Sequence, residues 1–428
     1  MPPLKTRQFR LENLFNTSTT TVTTSISYWN YPTDIYAGEG ALSVLPAACK
    51  QHGLQNILLV SDAGLQALGL VGPIAESLRA AGHIVTVFDG VQSNPTTDNV
   101  LAGVAAYRAG AFDGIVAVGG GSVIDAAKGI ALVSRCATGM SDFDWNVAIT
   151  AYPSLGSFPR LNLPRLIVIP TTAGTGSELS REAVITDPKD DTKHVITHAE
   201  LLAATVILDP QLTTGLPARL TAATGLDALT HHLEALVSPL YHPMSAGVAL
   251  EGIRLIQQYL PIAVREPGNL HARTQMLVAS AMAAVAFQKG LGGVHALAHA
   301  LGARHHAHHG MLNAIVLPYV LDANRAAIAE PLRLLARVLD LPGDTVDDVI
   351  DWVLNLRTTL GIPHTLAEIG ITGEDAVLIG ERAVADISSS DTNPIPFSAD
   401  QYAAIYLRAV SGVTRAGLAN ASDGRSPA

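Results

Sequence analysis

Cysteine is nearly absent from this chain. Two occur in 428 residues, Cys49 and Cys136, and no CxxC pair. That argues against both a disulfide framework and a thiolate zinc site, and it fits a reducing compartment. Charge is sparse as well, at 15% of residues, with a net charge of -10 and no Lys/Arg block. Nucleic acid is therefore not an expected partner. Long hydrophobic runs are missing too. The longest apolar stretches, such as MLVASAMAAVAF at 276–287, are too short to span a bilayer. The N-terminal MPPLKTRQFRLENLF has no apolar core of signal-peptide length. These absences lead to the expectation of a soluble, cytoplasmic protein with no nucleic-acid or membrane partner.

What is present is a hydrophobic content of 48% punctuated by 37 glycines and 24 prolines, the composition of a well-buried globular protein. The length predicts two domains. Residues 1–30 are rich in Thr and Ser and predict edge strands or a partner-facing arm. From residue 38 the strand candidates NILLV (56–60), HIVTVF (83–88) and GIVAV (114–118) alternate with helices near 67–80, 97–109 and 122–134. That βαβα rhythm predicts a parallel sheet covered on both faces. A strand LIVIP (166–170) follows a long insert at 138–165, AVIT and HVIT form a hairpin, and ATVILDP (204–210) closes the first half. Beyond a turn at 211–216 the pattern is helical: 218–237, 244–260, 271–288, 293–302, 311–322, 326–339 and 344–357, with more near the end. The division predicted is 1–214, α/β, and 215–428, all-helical. The last dozen residues are expected to fray.

Two groups of residues point to chemistry. Residues 290–310 hold six of the chain's 15 histidines. His295 and His299 are four apart in a helical run and share a face, as do Asp227 and His231 in GLDALTHHLEAL. A carboxylate inside so apolar a helix needs something to satisfy its charge. Asp227, His231 and His295, with one histidine from the 305–309 cluster, form a candidate site for Fe²⁺ or Zn²⁺, too nitrogen-rich for Mg²⁺ or Ca²⁺. Spacing alone leaves His305, His306, His308 and His309 in competition. His299, one turn past His295, suits an outer proton acceptor or relay. The second group is nucleotide-like. GGGS at 119–122 joins a strand to a helix carrying Asp125 and Lys128, where glycines admit close approach and a helix N-terminus offers N–H groups to phosphate. PTTAGTGSE at 170–178 adds the hydroxyls of Thr171, Thr172, Thr175 and Ser177. Asp62, just after NILLV, stands where an acidic side chain bonds ribose hydroxyls and repels a 2′-phosphate, which favours NAD over NADP; it equally suits a helix start.

Taken jointly, DGVQSNPTTDNV (89–100), GGGSVIDAAKGIA (119–131), IPTTAGTGSE (169–178), GLDALTHHLEA (225–235), VHALAHALG (294–302) and HHGMLNAIVLP (308–318) resemble the iron-containing (group III) alcohol dehydrogenases, from about residue 32 to beyond 400. The resemblance implies a Rossmann-like nucleotide-binding α/β domain, an all-helical metal-binding domain and an active site between them. It places the metal ligands on Asp227, His231, His295 and His309, the last settled by the His-Gly that ends the segment. It puts the pyrophosphate loop on Gly120, Gly121 and Ser122, beside Gly119, the nicotinamide side on Thr171 and Thr172, and the ribose on Asp62. Asn94, Asp125 and Ser177 lie in matching nucleotide-site motifs, and His299 falls on the family's active-site histidine. The implied function is NAD-dependent, divalent-metal-dependent hydride transfer between a primary alcohol and its aldehyde, by a homo-oligomer, a dimer.

Substrate class is where the residues diverge. Lys289, in AFQKGLG ahead of the metal helix, either pairs with a substrate carboxylate or points outward on the helix surface. The first option makes the enzyme an ω-hydroxy-acid dehydrogenase of the 4-hydroxybutyrate/succinate semialdehyde type. A maleylacetate-reductase-like enzyme, a glycerol-dehydrogenase-like enzyme or dehydroquinate-synthase-like lyase, and a silent scaffold are further alternatives. The scaffold requires a missing ligand, and none is missing from the sequence.

Overall fold

The computed structural model describes residues 33–135, 161–189 and 192–415. The Thr/Ser-rich stretch at 1–30, most of the 138–165 insert and the last dozen residues lie outside these. The first half builds a six-stranded sheet from β1 (Asp34–Ala37), β2 (Asn56–Asp62), β3 (Ile84–Val91), β4 (Gly114–Gly119), β5 (Arg165–Pro170) and β8 (Thr205–Leu208). Its order is β1-β8-β5-β4-β2-β3, and every pairing is parallel. β6 (Glu182–Asp187) and β7 (Thr192–Thr197) form the expected antiparallel hairpin apart from that sheet. β1 was not anticipated: DIYA is only four residues long and exposed throughout, too short to stand out as a strand.

Alternation along the strands divides the side chains between two layers. Ile57, Leu59, Val116, Val118, Ile167 and Ile169 face α1 (Leu45–Gln51) and α3 (Val71–Ala80). Leu58, Val60, Ile115, Ala117 and Val168 face α4 (Thr97–Ala109) and α5 (Gly121–Ser134). Period-2 alternation with both faces apolar is what a doubly covered parallel sheet requires, and each fully buried Val, Leu or Ile contributes roughly 1.5–3 kcal/mol. The helix expected at 67–80 is broken: α2 (Ala63–Ala67) ends before Gly69, whose φ of 73° no helix accommodates, and α3 restarts at Val71.

After β8 the described elements are helical. They run α6 (Ala218–Val237), α7 (Pro243–Arg265), α8 (Leu270–Ala286), α9 (Gly293–His305), α10 (His309–Ala323), α11 (Arg325–Val338), α12 (Val346–Thr359), α13 (Ala376–Ala385), α14 (Ile387–Ser390) and α15 (Ala399–Ser411). No single helix among the described residues is long and apolar enough to cross a membrane. α6 is the axis of this region, buried almost without break from Thr221 to Val237. α8 serves both halves: Leu277, Ala281 and Ala284 pack into the core beneath α5, while Met276, Ala279 and Ala283 belong to the helical core. The N-terminal mixed region and the helical region thus meet across α8 and α6, and that seam positions the site.

Candidate active site

Four titratable side chains on one helix are buried. Asp227, His231, His232 and Glu234 of α6 are each at most 5% exposed. His232 is structural: its Nε2 lies 2.9 Å from the Ala279 carbonyl, and its ring fills the space that Gly252 leaves open. Asp227, His231 and Glu234 follow i, i+4, i+7 spacing and so form one stripe. α10 is brought onto that stripe by Gly310, where a Cβ would stand 2.5 Å from the Ala223 carbonyl. His309, at the start of α10, then reaches Asp227, and α9 delivers His295 from another side.

The ligand-capable atoms of Asp227, His295 and His309 all lie within 4.8 Å of one another. Asp227 Oδ1 is 3.6 Å from His309 Nε2 and 4.0 Å from His295 Nε2. His231 lies outside this triad, stacked on His295 with ring centroids 4.5 Å apart, and its Nδ1 is buried without a hydrogen-bond partner, as is His309 Nδ1. Asn313, one turn beyond His309, directs its amide nitrogen to Asp227 Oδ1 at 2.6 Å, His309 Nε2 at 3.1 Å and His295 Nε2 at 3.2 Å. His299 is held through Nδ1 by Asp386 Oδ2 at 2.7 Å and stacks on His309. His305 lies 3.8 Å from Asp375, and His308 caps α10 by accepting from the Met311 amide.

Electrostatics follow burial. Desolvation pushes the Asp227 carboxyl up and holds His231 and His309 well below the ordinary imidazole value. Burial also opposes charge on His295, but Glu234 and then Asp227 outweigh it and move this imidazole up. A carboxylate raised by burial beside imidazoles kept neutral gains from a cation, because the cation satisfies both.

The nucleotide motifs meet at the carboxyl ends of β2, β4 and β5. Chain order reverses between β2 and β4, the crevice where open α/β sheets take ligands. Gly119 ends β4, Gly120 precedes α5, and Gly121 and Ser122 form its first turn. A Cβ on Gly121 would lie 2.7 Å from the Thr175 side chain, and one on Gly120 would lie 3.3 Å from that of Thr172, so the threonine side chains of one loop occupy the space that the glycines of the other leave open. Thr171 donates its amide to the Gly119 carbonyl. The Asn94 amide donates to Ser122 Oγ at 3.2 Å. Asp125 and Ser177 instead bond each other, and Asp125 also accepts from the Val184 amide at 3.1 Å. Asp62 caps α2, accepting from the Leu65 amide at 2.9 Å, at the lip of the crevice. Gly174 abuts the Thr224 carbonyl, one turn before Asp227, and so joins the nucleotide loop to the metal stripe.

Several residues here escaped the sequence reading. Glu234 and Asn313 carried a usable signal, since each sits at helical spacing from a candidate ligand. Lys193, on the hairpin, donates to Asn94 Oδ1 at 3.2 Å and is lowered by burial, with Asp125 and Asp227 opposing. Asp386, 87 residues from His299, had no local signal at all. Lys289 corrects both earlier expectations. It is 8% exposed, and its ammonium donates to the carbonyls of Ala235, Leu236 and Ser238 at 3.0, 3.0 and 2.6 Å. It caps the end of α6, facing neither solvent nor a substrate.

Comparison with known proteins supplies the remaining observation. The family model for iron-containing alcohol dehydrogenase matches residues 32–210, and that for the C-terminal part of the Fe-containing alcohol dehydrogenase family matches 221–410. The chain belongs to this family. It is 39% identical over 387 residues to a 4-hydroxybutyrate dehydrogenase of Cupriavidus necator, covering 87% of this chain and 97% of that protein. It is 36% identical over 388 residues to alcohol dehydrogenase 4 of Saccharomyces cerevisiae, covering 90% and 99%. The crystal structure of a 1,3-propanediol oxidoreductase superposes with a TM-score of 0.82 at 36% identity, covering 90% of this chain and all of that one. As an iron-type alcohol dehydrogenase, the protein is an NAD-linked, metal-dependent oxidoreductase acting on alcohol- or aldehyde-type substrates.

Proposed function

We propose that the protein interconverts a primary alcohol and its aldehyde, with Asp227, His231, His295 and His309 holding the metal. The convergence of Asp227, His295 and His309 beside the glycine-rich loops is the observation that carries this reading. Fe²⁺ is the proposed metal, with Zn²⁺ able to occupy the same nitrogen-rich set. When bound, the cation supplies Lewis acidity without redox change, and NAD supplies the hydride acceptor. Gly119, Gly120, Gly121 and Ser122 cradle the pyrophosphate, with Asn94 in the same nucleotide site beside Ser122, and Thr171 and Thr172 toward the nicotinamide. Asp62 takes the ribose hydroxyls while its backbone-capping role continues. Asp125 and Ser177 keep the threonine loop in place. His299, oriented by Asp386, moves the proton that the alcohol hydroxyl releases.

The first relative gives a specific reason for a second reading, an ω-hydroxy acid as substrate. Lys289 is not its carboxylate partner, because three carbonyls hold its ammonium. Rates with NAD on 1-butanol, 1,3-propanediol and 4-hydroxybutyrate, after reconstitution with Fe²⁺ or Zn²⁺, separate the two. Preference for the neutral alcohols supports the first reading, and strong preference for 4-hydroxybutyrate replaces it with the second. A cytoplasmic homodimer completes the proposal, with light scattering of the purified protein as its check.

A further inference from the structure

We infer that Glu234 is a positioning residue for the metal site: it fixes the tautomer of His295 and thereby aims that ligand's lone pair at the metal. The inference rests on the proposed metal assignment. Glu234 lies one turn past His231 on α6 and is 4% exposed. Its Oε2 is 2.6 Å from His295 Nδ1, and its Oε1 is 2.6 Å from the Val294 amide. The Val294 N–H can only donate, so Oε1 accepts. An ionised carboxylate has no proton to give, so Oε2 accepts as well, Nδ1 of His295 carries the proton and Nε2 keeps its lone pair. The far side of the ring agrees. The Asn313 amide nitrogen stands 3.2 Å from Nε2, a donor facing an acceptor.

The same contact solves a second problem. α9 begins at Gly293 with no capping side chain of its own. Its first free amides are met in trans, Val294 by Glu234 and Gly293 by Asn393 Oδ1 at 2.9 Å. Gly292 makes room for this, since a Cβ there would stand 2.9 Å from Glu234 Oε1. Glu234 therefore faces two donors at once, and a negative group is favoured at a helix N-terminus. An amide cannot replace it. A glutamine turning its oxygen to Val294 presents NH₂ to His295 Nδ1, which forces the proton onto Nε2 and removes the ligand. Turned the other way, it sets NH₂ against the Val294 N–H.

The test compares zinc affinity, by chelator competition on the full-length chain, among wild type, Glu234→Gln and Asn393→Ala. Outer hydrogen-bond partners of ligand histidines change metal affinity by about ten- to a hundredfold. Glu234→Gln is expected to weaken zinc binding by that factor. Asn393→Ala, which loses a cap on the same helix without touching His295, is expected to lower the melting temperature and leave zinc affinity unchanged. Unchanged affinity in Glu234→Gln overturns the inference, and so does equal weakening in both variants, which marks a purely structural role. Failure of the wild type to bind zinc overturns the metal assignment beneath it. Should Glu234→Gln not fold, the ¹⁵N spectrum of the zinc-loaded wild type decides: His295 protonated at Nδ1 with Nε2 on zinc upholds the inference, and ligation through Nδ1 overturns it.

Discussion

Two buried polar clusters in this protein, each built around an aspartate, differ in how they are closed. In the first, Lys128 of α5 donates to the carbonyls of Ser177, Ser180 and Glu182 at 2.6, 2.7 and 2.7 Å, with Asp125 bonded to Ser177 and Val184 alongside. Every proton of the ammonium has an acceptor. In the second, Asp227, His295 and His309 aim acceptors at one point, and His231 and His309 leave a ring nitrogen unpartnered. The first is a clamp that fastens the threonine loop and hairpin to α5. The second gathers a carboxylate and the ring nitrogens of two histidines within 4.8 Å of one another, a donor set that suits a divalent cation. Buried polarity alone does not mark a functional centre; a carboxylate and imidazole nitrogens brought together within ligand distance do.

Removing the clamp is the harshest way to test that contrast. Lys128→Met leaves three buried carbonyls without donors and Asp125 without its nearest cation, so a loss of about 3–5 kcal/mol is expected in urea unfolding. Metal affinity of the surviving folded fraction should be unchanged, and a fall in both would merge the two clusters into one unit. Glu178, beside the clamp and 1% exposed, is pushed up to about 7 from its ordinary 4.5, chiefly by burial. Its folded form therefore keeps a proton that the unfolded chain releases, and stability falls as pH rises through that window. Glu178→Gln should flatten the fall, a difference of about 3 kcal/mol in unfolding free energy between the two ends of the window.

Lys289 provides a second closed cluster, inside the helical region. Lys289→Ala should cost about 1–3 kcal/mol of stability by releasing the carbonyls at the end of α6, while the ratio of rates on 4-hydroxybutyrate and 1-butanol stays fixed. A selective loss on the acid would return Lys289 to the substrate. Asp62→Gly has the smallest structural effect, because glycine is a fair helix cap. It should shift the NAD/NADP preference by about 1–3 kcal/mol in relative kcat/KM. An unchanged preference would confine Asp62 to capping α2.

Much of this was legible in the sequence because it was written at helical or strand spacing. Asp227 with His231, and His295 with His299, announce shared helix faces, and the strands of the parallel sheet announce themselves as apolar runs. The triad's closure was not legible, since it depends on Gly310 letting α10 sit on Ala223, a contact between segments 87 residues apart. Motif resemblance chose His309 over its neighbours where spacing could not. The role of Lys289 was not legible because the carbonyls it caps, those of Ala235, Leu236 and Ser238, end a helix more than 50 positions earlier in the chain. Asp386 and Lys193 enter through tertiary packing alone.

The central claim, that Asp227 and its histidines hold the metal on the helical side while the cofactor binds through the glycine loops, is tested most directly by one paired measurement on Asp227→Asn. Divalent-metal content and NADH binding by fluorescence titration are read on the same purified variant. Loss of metal and of turnover, with NADH affinity retained, is the predicted result. Full metal occupancy in Asp227→Asn would contradict the account.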